Sequence, residues 1–281
     1  AAITKLEVRP DNLENVLEFQ GQCFKIGEGA PELETVDKTQ NMNYYHLTLA
    51  ALAKELQYRG KNEALVGIGA ALPPRRYGLQ KNDFKKYLLQ SKKLNFRYEG
   101  RNYHVEIENA HIFMQGHVIV LLHQEELMGE CVLCDMGGGT NDIMGLIDGK
   151  PTGQLFIDKN AALTCINHIR EVVEAKTGES ISTYALEKFM VNGDYDCSDA
   201  YIQGELKQYA EQIYLILKKF GYNLDLTKIV FAGGGSTAIQ HFGRNEGKKV
   251  LFYSDIHENA KGCEMAVRSI LKEIAKKRAG A

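Results

Sequence analysis

Val132-Leu133-Cys134-Asp135-Met136-Gly137-Gly138-Gly139-Thr140-Asn141-Asp142 is an apolar run closed by a carboxylate and then by three glycines. A second run of the same build follows further along, Ile229-Val230-Phe231-Ala232-Gly233-Gly234-Gly235-Ser236-Thr237. Short apolar runs bounded by glycine read as buried strands. Glycine lets the backbone take positive φ and approach a ligand closely. Successive N–H groups can then converge on a phosphate. Asp135, at the end of its strand, would face that concavity, where a carboxylate can hold hydrated Mg²⁺. One triplet alone reads as a tight turn. Two, each after a buried strand, one of them flanked by Asp135 and Thr140, read as a pair of phosphate-binding turns.

Working outward, strands and helices alternate irregularly. A hairpin joins Leu17–Phe19 to Cys23–Ile26 through Gly21, and a helix spans Asn43–Arg59 with Tyr44, Leu47, Ala51, Leu52 and Leu56 near one stripe. Glu63–Leu72 reads as a buried strand closed by Pro73-Pro74. Leu94–Tyr98 and Tyr103–Ile107 flank Glu99-Gly100 as a hairpin, Ala110–Met114 is a short strand, and Gln115–Leu127 a helix. In the second half, Glu130–Met136 is a strand, and Asp142–Ile147 pairs with Thr152–Ile157 around Asp148-Gly149. Helices are expected at Asn160–Lys176, Ser182–Met190, Ser198–Phe220 and Asn259–Lys276, and strands at Lys228–Ala232 and Val250–Tyr253. Ile202, Leu206, Tyr209, Ile213, Ile216, Leu217 and Phe220 form one stripe of the third helix. Hairpins inside an alternating pattern predict α/β architecture with mixed sheets.

Bulk properties bound the rest. At ~150 residues per domain, 281 residues predict roughly two domains. With 34 Lys and Arg against 36 Asp and Glu, the net charge of −2 offers no global basic field to hold nucleic acid. No apolar run approaches the ~18 residues of a membrane helix, and no secretory leader opens the chain. The expectation is a soluble, two-lobed protein of the cytoplasm. Cys23, Cys131, Cys134, Cys165, Cys197 and Cys263 are scattered, which fits reduced thiols. Cys131 and Cys134 lie three apart on one strand and so point to opposite faces, as core residues.

Other motifs carry less. There is no G-x-x-x-x-G-K-[ST] and no G-x-S-x-G. Gly67-Ile68-Gly69-Ala70-Ala71-Leu72 starts like a dinucleotide loop but lacks the third small residue. His104, Glu106 and Glu108 share one strand face and, with His111 nearby, read as a solvated edge before a metal cluster. Lys272, Lys276, Lys277 and Arg278 read as a solvated helix end that complements the helix dipole.

Asp135–Asp142 resembles the second phosphate motif of the actin, sugar kinase and seventy-kilodalton chaperone superfamily. Phe231–Ser236 resembles its adenosine motif. Phe113-Met114-Gln115-Gly116 resembles its first connecting segment, and Asn259-Ala260-Lys261-Gly262 the start of its second connecting helix. The order and spacing of all four match. Gly27-Glu28-Gly29 after a short hairpin looks like the small subdomain of bacterial plasmid-segregation actins of the ParM type. The superfamily's first phosphate motif, Asp-x-Gly-x-x-x-x-Lys/Arg, does not precede the first hairpin. Ala1–Val8 looks like the segment that follows it, so either the leading strand pair is missing from this chain, which is the expectation, or this member has lost it.

The resemblance implies an actin-like two-lobed fold, each lobe a mixed sheet flanked by helices, with a nucleotide cleft between lobes. Lobe I would take residues 1–128, lobe II 129–258, and 259–281 a helix returning to lobe I. It implies Mg²⁺ with ATP or GTP. Asp135 would hold the Mg²⁺ through water. The backbone at Gly137, Gly138, Gly139 and Thr140 would wrap the β- and γ-phosphates. Gly233, Gly234, Gly235 and Ser236 would pass close to the purine nucleoside, and Gln115 would orient the attacking water. It further implies nucleotide hydrolysis that drives filaments and plasmid segregation. Partners would be other copies of the chain and a DNA-binding adaptor of the ParR type, with no direct nucleic-acid contact and no membrane. A small-molecule kinase of the same superfamily, which would carry Asp where Gln115 stands, and a non-hydrolysing scaffold are the alternatives.

Overall fold

Both apolar runs are strands with the expected boundaries, and each glycine triplet begins where its strand stops. The computed structural model describes residues 3–27, 37–193 and 200–279. In chain order its elements are β1 (Ile3–Leu6), β2 (Val16–Phe19), β3 (Gln22–Ile26), α1 (Asn43–Tyr58), β4 (Glu63–Leu72), α2 (Pro74–Leu88), β5 (Lys93–Tyr98), β6 (Arg101–Met114) and α3 (His117–Leu122). Then come β7 (Glu130–Met136), β8 (Asn141–Ile147), β9 (Lys150–Asp158), α4 (Ala162–Thr177), α5 (Thr183–Asn192), α6 (Ala200–Lys219), β10 (Lys228–Ala232), α7 (Ser236–Phe242), β11 (Val250–Tyr253) and α8 (Glu258–Ala279). Contacts group them into two units, Ala1–Ala70 with Gly78–Ile112, and Ala71–Tyr77 with Phe113–Ala281.

The first unit carries a sheet in the order β1-β3-β2-β5-β6-β4. Its hairpins turn as composition requires. Glu99 and Gly100 both have positive φ, 51° and 76°, the mirror-image turn whose twist matches paired strands. Helix α1 packs on β2, β3 and β5, burying Tyr45, His46, Leu49, Ala50, Ala53 and Leu56. The stripe expected from sequence was rotated. Ala51 is exposed, and Tyr44, Leu47 and Leu52 are only half-buried. Tyr45 and His46 take the inner face because aromatic rings of the sheet receive them, Phe19 against Tyr45 and Phe24 against His46. His104, Glu106 and Glu108 lie on the exposed side of β6, as the period-two reading requires.

The second unit carries a mixed sheet, β11-β10-β7-β8-β9. Strands β11, β10 and β7 run parallel, and β8 and β9 continue antiparallel. Both faces are covered. Val132, Cys134 and Met136 point into a core with residues of α4, α5, α6 and α7. Cys131 and Leu133 point into the other, with Ile119, Val120, Met144 and Leu146. The two thiols therefore sit on opposite faces, and among the described residues both are free. Burying side chains of this size contributes roughly 1.5–3 kcal/mol each. Helix α6 uses the expected stripe, with Ile202, Leu206, Tyr209, Ile213 and Leu217 buried.

Several elements differ from expectation. Helix α2 was not anticipated. Pro74 occupies its first turn, where a missing N–H costs nothing, and Arg76 and Tyr77 N–H close the turn onto the Pro73 carbonyl. Helix α7 was not anticipated either, because Gly233–Gly235 masks its start. Tyr103–Ile107 and Ala110–Met114 merge into the single strand β6. Helix α3 is shorter than Gln115–Leu127. Gly116 precedes it at φ 75°, so Gln115 lies in the connection before the helix, and His123 leaves helical geometry to meet Glu258 at 2.6 Å. Helix α8 packs on α3, and both fall in the second unit. Gly262 makes the approach possible, since a Cβ there would overlap the Val118 carbonyl. Lys272, Lys276 and Lys277 are exposed. Ala1, Ala2, Glu28, Gly29, Cys197, Ser198 and the side chain of Arg278 lie outside the described residues. Among the described residues no helix is long and apolar enough to cross a membrane.

Candidate functional site

The C-terminal ends of the parallel strands β7, β10 and β11 converge, and ligands bind at such ends in α/β sheets. A cavity of about 610 Å³ opens there within the second unit. Gln115, Asp135, Gly137, Gly138, Thr140, Gly233, Gly234 and Gly235 all line it. Two residues expected there do not. Gly139 is exposed at the tip of its turn. Ser236 is buried at the start of α7, its hydroxyl donating to Ser254 Oγ at 2.8 Å.

The two glycine turns are built against each other. Gly235 N–H donates to the Met136 carbonyl at 3.1 Å, and Gly233 N–H to the Tyr253 carbonyl at 3.0 Å. Gly233 has φ 81°, and a Cβ there would stand 2.8 Å from the Met136 oxygen. A side chain at this position would push the turns apart. In the first turn Gly137 N–H closes onto the Thr140 carbonyl at 3.0 Å. Among the described residues, the next N–H groups, those of Gly138, Gly139 and Thr140, donate to no protein acceptor. Adjacent unpaired amides of this kind form a concavity for an anion.

Asp135 and Asp142 occupy one β7–β8 cross-strand pair, so their side chains share a face. Burial pushes the Asp135 carboxyl above its ordinary range, and the bond from Asn259 Nδ2 to its Oδ2, at 2.8 Å, pulls the other way. The Asp142 carboxyl is pushed up to about 6 by burial and by the neighbouring Asp135, with the Arg75 guanidinium opposing. Among the described residues its Oδ1 is buried without a partner. Asn259 has a second bond, accepting Gly116 N–H at its Oδ1 at 2.9 Å. Gln115 N–H is held by the Leu72 carbonyl at 2.9 Å.

Sequence reasoning missed the rest of the lining. Asp255, Ile256 and Glu258 follow β11, and Glu187, Met190 and Val191 come from α5. Lys261 ties Asp255 and Glu258 together, at 2.5 and 3.3 Å. The end of a third parallel strand was the signal for the first group. Nothing local marks the α5 residues, which arrive through helix packing. Leu163, Ile166, Met190 and Ile256 give the cavity apolar lining, and Asp142, Glu187, Asp255 and Glu258 add carboxyl groups to that of Asp135. The arrangement offers free backbone donors, a pair of facing carboxyls and apolar lining in one cavity.

Residues 3–117 match the family model of the actin-like proteins N-terminal domain. No curated protein matches the chain. Among solved structures, the actin-like protein Alp7A superimposes with a TM-score of 0.72 at 19% identity, covering 99% of this chain and 92% of that one. Bacillus thuringiensis ParM with ATP gives 0.69 at 16% identity over 97% and 90% of the two chains. The Alp12 filament structure gives 0.67 at 16% identity over 95% and 88%. The chain has the actin-like fold, as the motifs implied.

Proposed function

Taking the actin-like fold as the premise, we propose that the chain is a nucleotide-dependent, filament-forming ATPase or GTPase, with its site in the cavity at the ends of β7, β10 and β11. One observation carries the reading: the unpaired amides of Gly138, Gly139 and Thr140 follow directly on the strand that pairs Asp135 with the buried Asp142. Mg²⁺ with ATP or GTP fits the residues present. The free amides suit phosphate oxygens, Asp135 suits the hydration shell of Mg²⁺, and the orphaned Asp142 Oδ1 has acceptor capacity to spare. The close backbone at Gly233–Gly235 and the apolar lining, with Ile256 against Gly234, suit a nucleoside. Bound Mg²⁺ supplies charge neutralisation on the phosphates.

Gln115 lines the same cavity. Its amide can donate to and accept from one water at once, but it cannot take the proton. Its role in this reading is to orient the attacking water, worth several kcal/mol through positioning. A kinase acting on a hydroxyl would want a carboxylate base in its place. Ser236, bound to Ser254, supports the second glycine turn from behind. Self-assembly, a ParR-type DNA-binding adaptor, plasmid segregation and a cytoplasmic setting belong to the same proposal. Their support is the likeness to ParM, Alp7A and the Alp12 filament.

The test combines calorimetry and light scattering on the chain with Mg·ATP and with Mg·GTP. Binding of either nucleotide, followed by a rise in scattering at tens of micromolar protein, is the expected result. Asp135→Ala should weaken the Mg²⁺-dependent part of binding by ~10²-fold, the scale of a positioned electrostatic group. No binding of either nucleotide overturns the reading. Binding without any assembly overturns its filament half.

A further inference from the structure

We propose that Asn259 is a positioning residue that assembles the two halves of this site, holding the Asp135 carboxylate with one end of its carboxamide and the Gln115–Gly116 turn with the other. The inference rests on the nucleotide reading for what each half does, and on the geometry for the clamp itself. Nδ2 donates to Asp135 Oδ2 at 2.8 Å, and Oδ1 accepts Gly116 N–H at 2.9 Å. A carboxamide is the group that can do both at this reach, because it carries a donor and an acceptor on one short, rigid plane. A carboxylate would keep the acceptor and lose the donor. A hydroxyl sits closer to the backbone.

The clamp is itself braced. Asn259 is the second residue of α8, and its neighbour Glu258 is buried, bound by His123 Nε2 at 2.6 Å and Lys261 Nζ at 3.3 Å. His123 follows the last turn of α3 and stacks flat on Tyr253, ring centroids 3.8 Å apart. Gly116 precedes the first turn of α3. Both ends of α3 are thus tied to the first turn of α8, and Gly262 brings the two helices to backbone contact in between. With α3 unable to shift alone, the Asn259 carboxamide fixes the distance from the carboxylate that would meet the cation to the residue that would meet the water.

The experiment compares Asn259→Ala with Asn259→Asp, in both nucleotide-free and nucleotide-loaded protein. Hydrogen exchange at the Gly116 amide is read first, without ligand. Asn259→Ala should speed it by ~10-fold or more, the value of one lost hydrogen bond. Asn259→Asp keeps the acceptor and should leave Gly116 protected. That variant also sets a second carboxylate against Asp135. It should therefore change the Mg²⁺ dependence of nucleotide affinity and slow phosphate release by ~10²-fold, while Gly116 exchange stays near wild type. This split is what a merely structural residue would not produce. Unchanged Gly116 exchange in Asn259→Ala overturns the clamp, whether or not nucleotide binds. Equal disturbance of Gly116 by both variants overturns it too. If Asn259→Ala fails to fold, exposed Gly116 in Asn259→Asp is the overturning result. A wild-type chain that binds no Mg·nucleotide overturns the nucleotide reading and leaves the exchange result to decide the clamp.

Discussion

Asp142 faces Asp135 directly across the β7–β8 ladder, both side chains on the same face of the sheet and both residues lining the cavity. Like charges opposite one another destabilise a sheet, and burial adds to the cost of ionising them. The pair is tolerable when one member is protonated or a cation lies near. That relationship makes the stability of the nucleotide-free protein sensitive to pH.

The Asp142 carboxyl rises from 3.8 to about 6 in the fold. A carboxyl raised in this way stabilises the fold while protonated. The contribution is complete below the unfolded value and is lost as pH rises through about 6. Its scale is on the order of 3 kcal/mol, at ~1.36 kcal/mol per pKa unit. Nucleotide-free Asp142→Asn should therefore lose less stability than wild type between pH 4 and pH 7 (about the window bracketing the two values). Urea melts across that range measure it. Parallel curves for the two proteins would remove Asp142 from the account.

His46 sets the opposite slope in the other unit. Its ring is buried and stacked on Phe24 at 4.0 Å, with Nδ1 unpartnered among the described residues. Burial pushes its pKa down. A histidine lowered in this way supports the fold while neutral. The support is complete above the unfolded value near 6.5 and lost as pH falls through the folded one. His46→Phe keeps the ring contact and has no charge to bury, so acid should loosen the first unit less. Amide exchange of α1 near pH 5 (about 1.5 units below the ordinary histidine value) is the readout, and an unaltered acid response would refute it.

Gly262→Ala pits two effects against each other. Alanine gains about 1 kcal/mol of helix propensity over glycine. Its Cβ, however, would overlap the Val118 carbonyl, which is backbone and cannot swing away. Overpacking of this kind costs ~1–3 kcal/mol or more, so the net effect should be destabilising and should separate α8 from α3. A denaturation midpoint higher than wild type would show that the helices are not in backbone contact.

Gln115→Ala should leave nucleotide binding intact and slow phosphate release by ~10²-fold, the worth of an oriented reactant. If filaments fall apart after hydrolysis, those of the variant should outlast wild type after a fixed dose of nucleotide. Scattering and released phosphate, followed together, decide it. Wild-type phosphate release would reduce Gln115 to a residue of the connection before α3.

What sequence alone determined is the part of the molecule governed by neighbours in the chain. Strands β7 and β10 and their glycine turns were legible because an apolar run and a loss of side chains act locally on the backbone. The hairpin at Glu99-Gly100 was legible for the same reason. Local signals also misled. Pro73-Pro74 reads as a stop but seeds α2, and Gly233–Gly235 reads as a loop but opens into α7. The face of α1 depended on which residues could pack against Phe19 and Phe24, which its own periodicity does not contain. Only tertiary structure brought Asn259 to Asp135, 124 residues away, and α5 to the cavity wall. Hydrogen bonds between distant segments form because packing delivers their partners. Packing depends on the whole set of buried side chains, so no single stretch of the chain records which partners will meet.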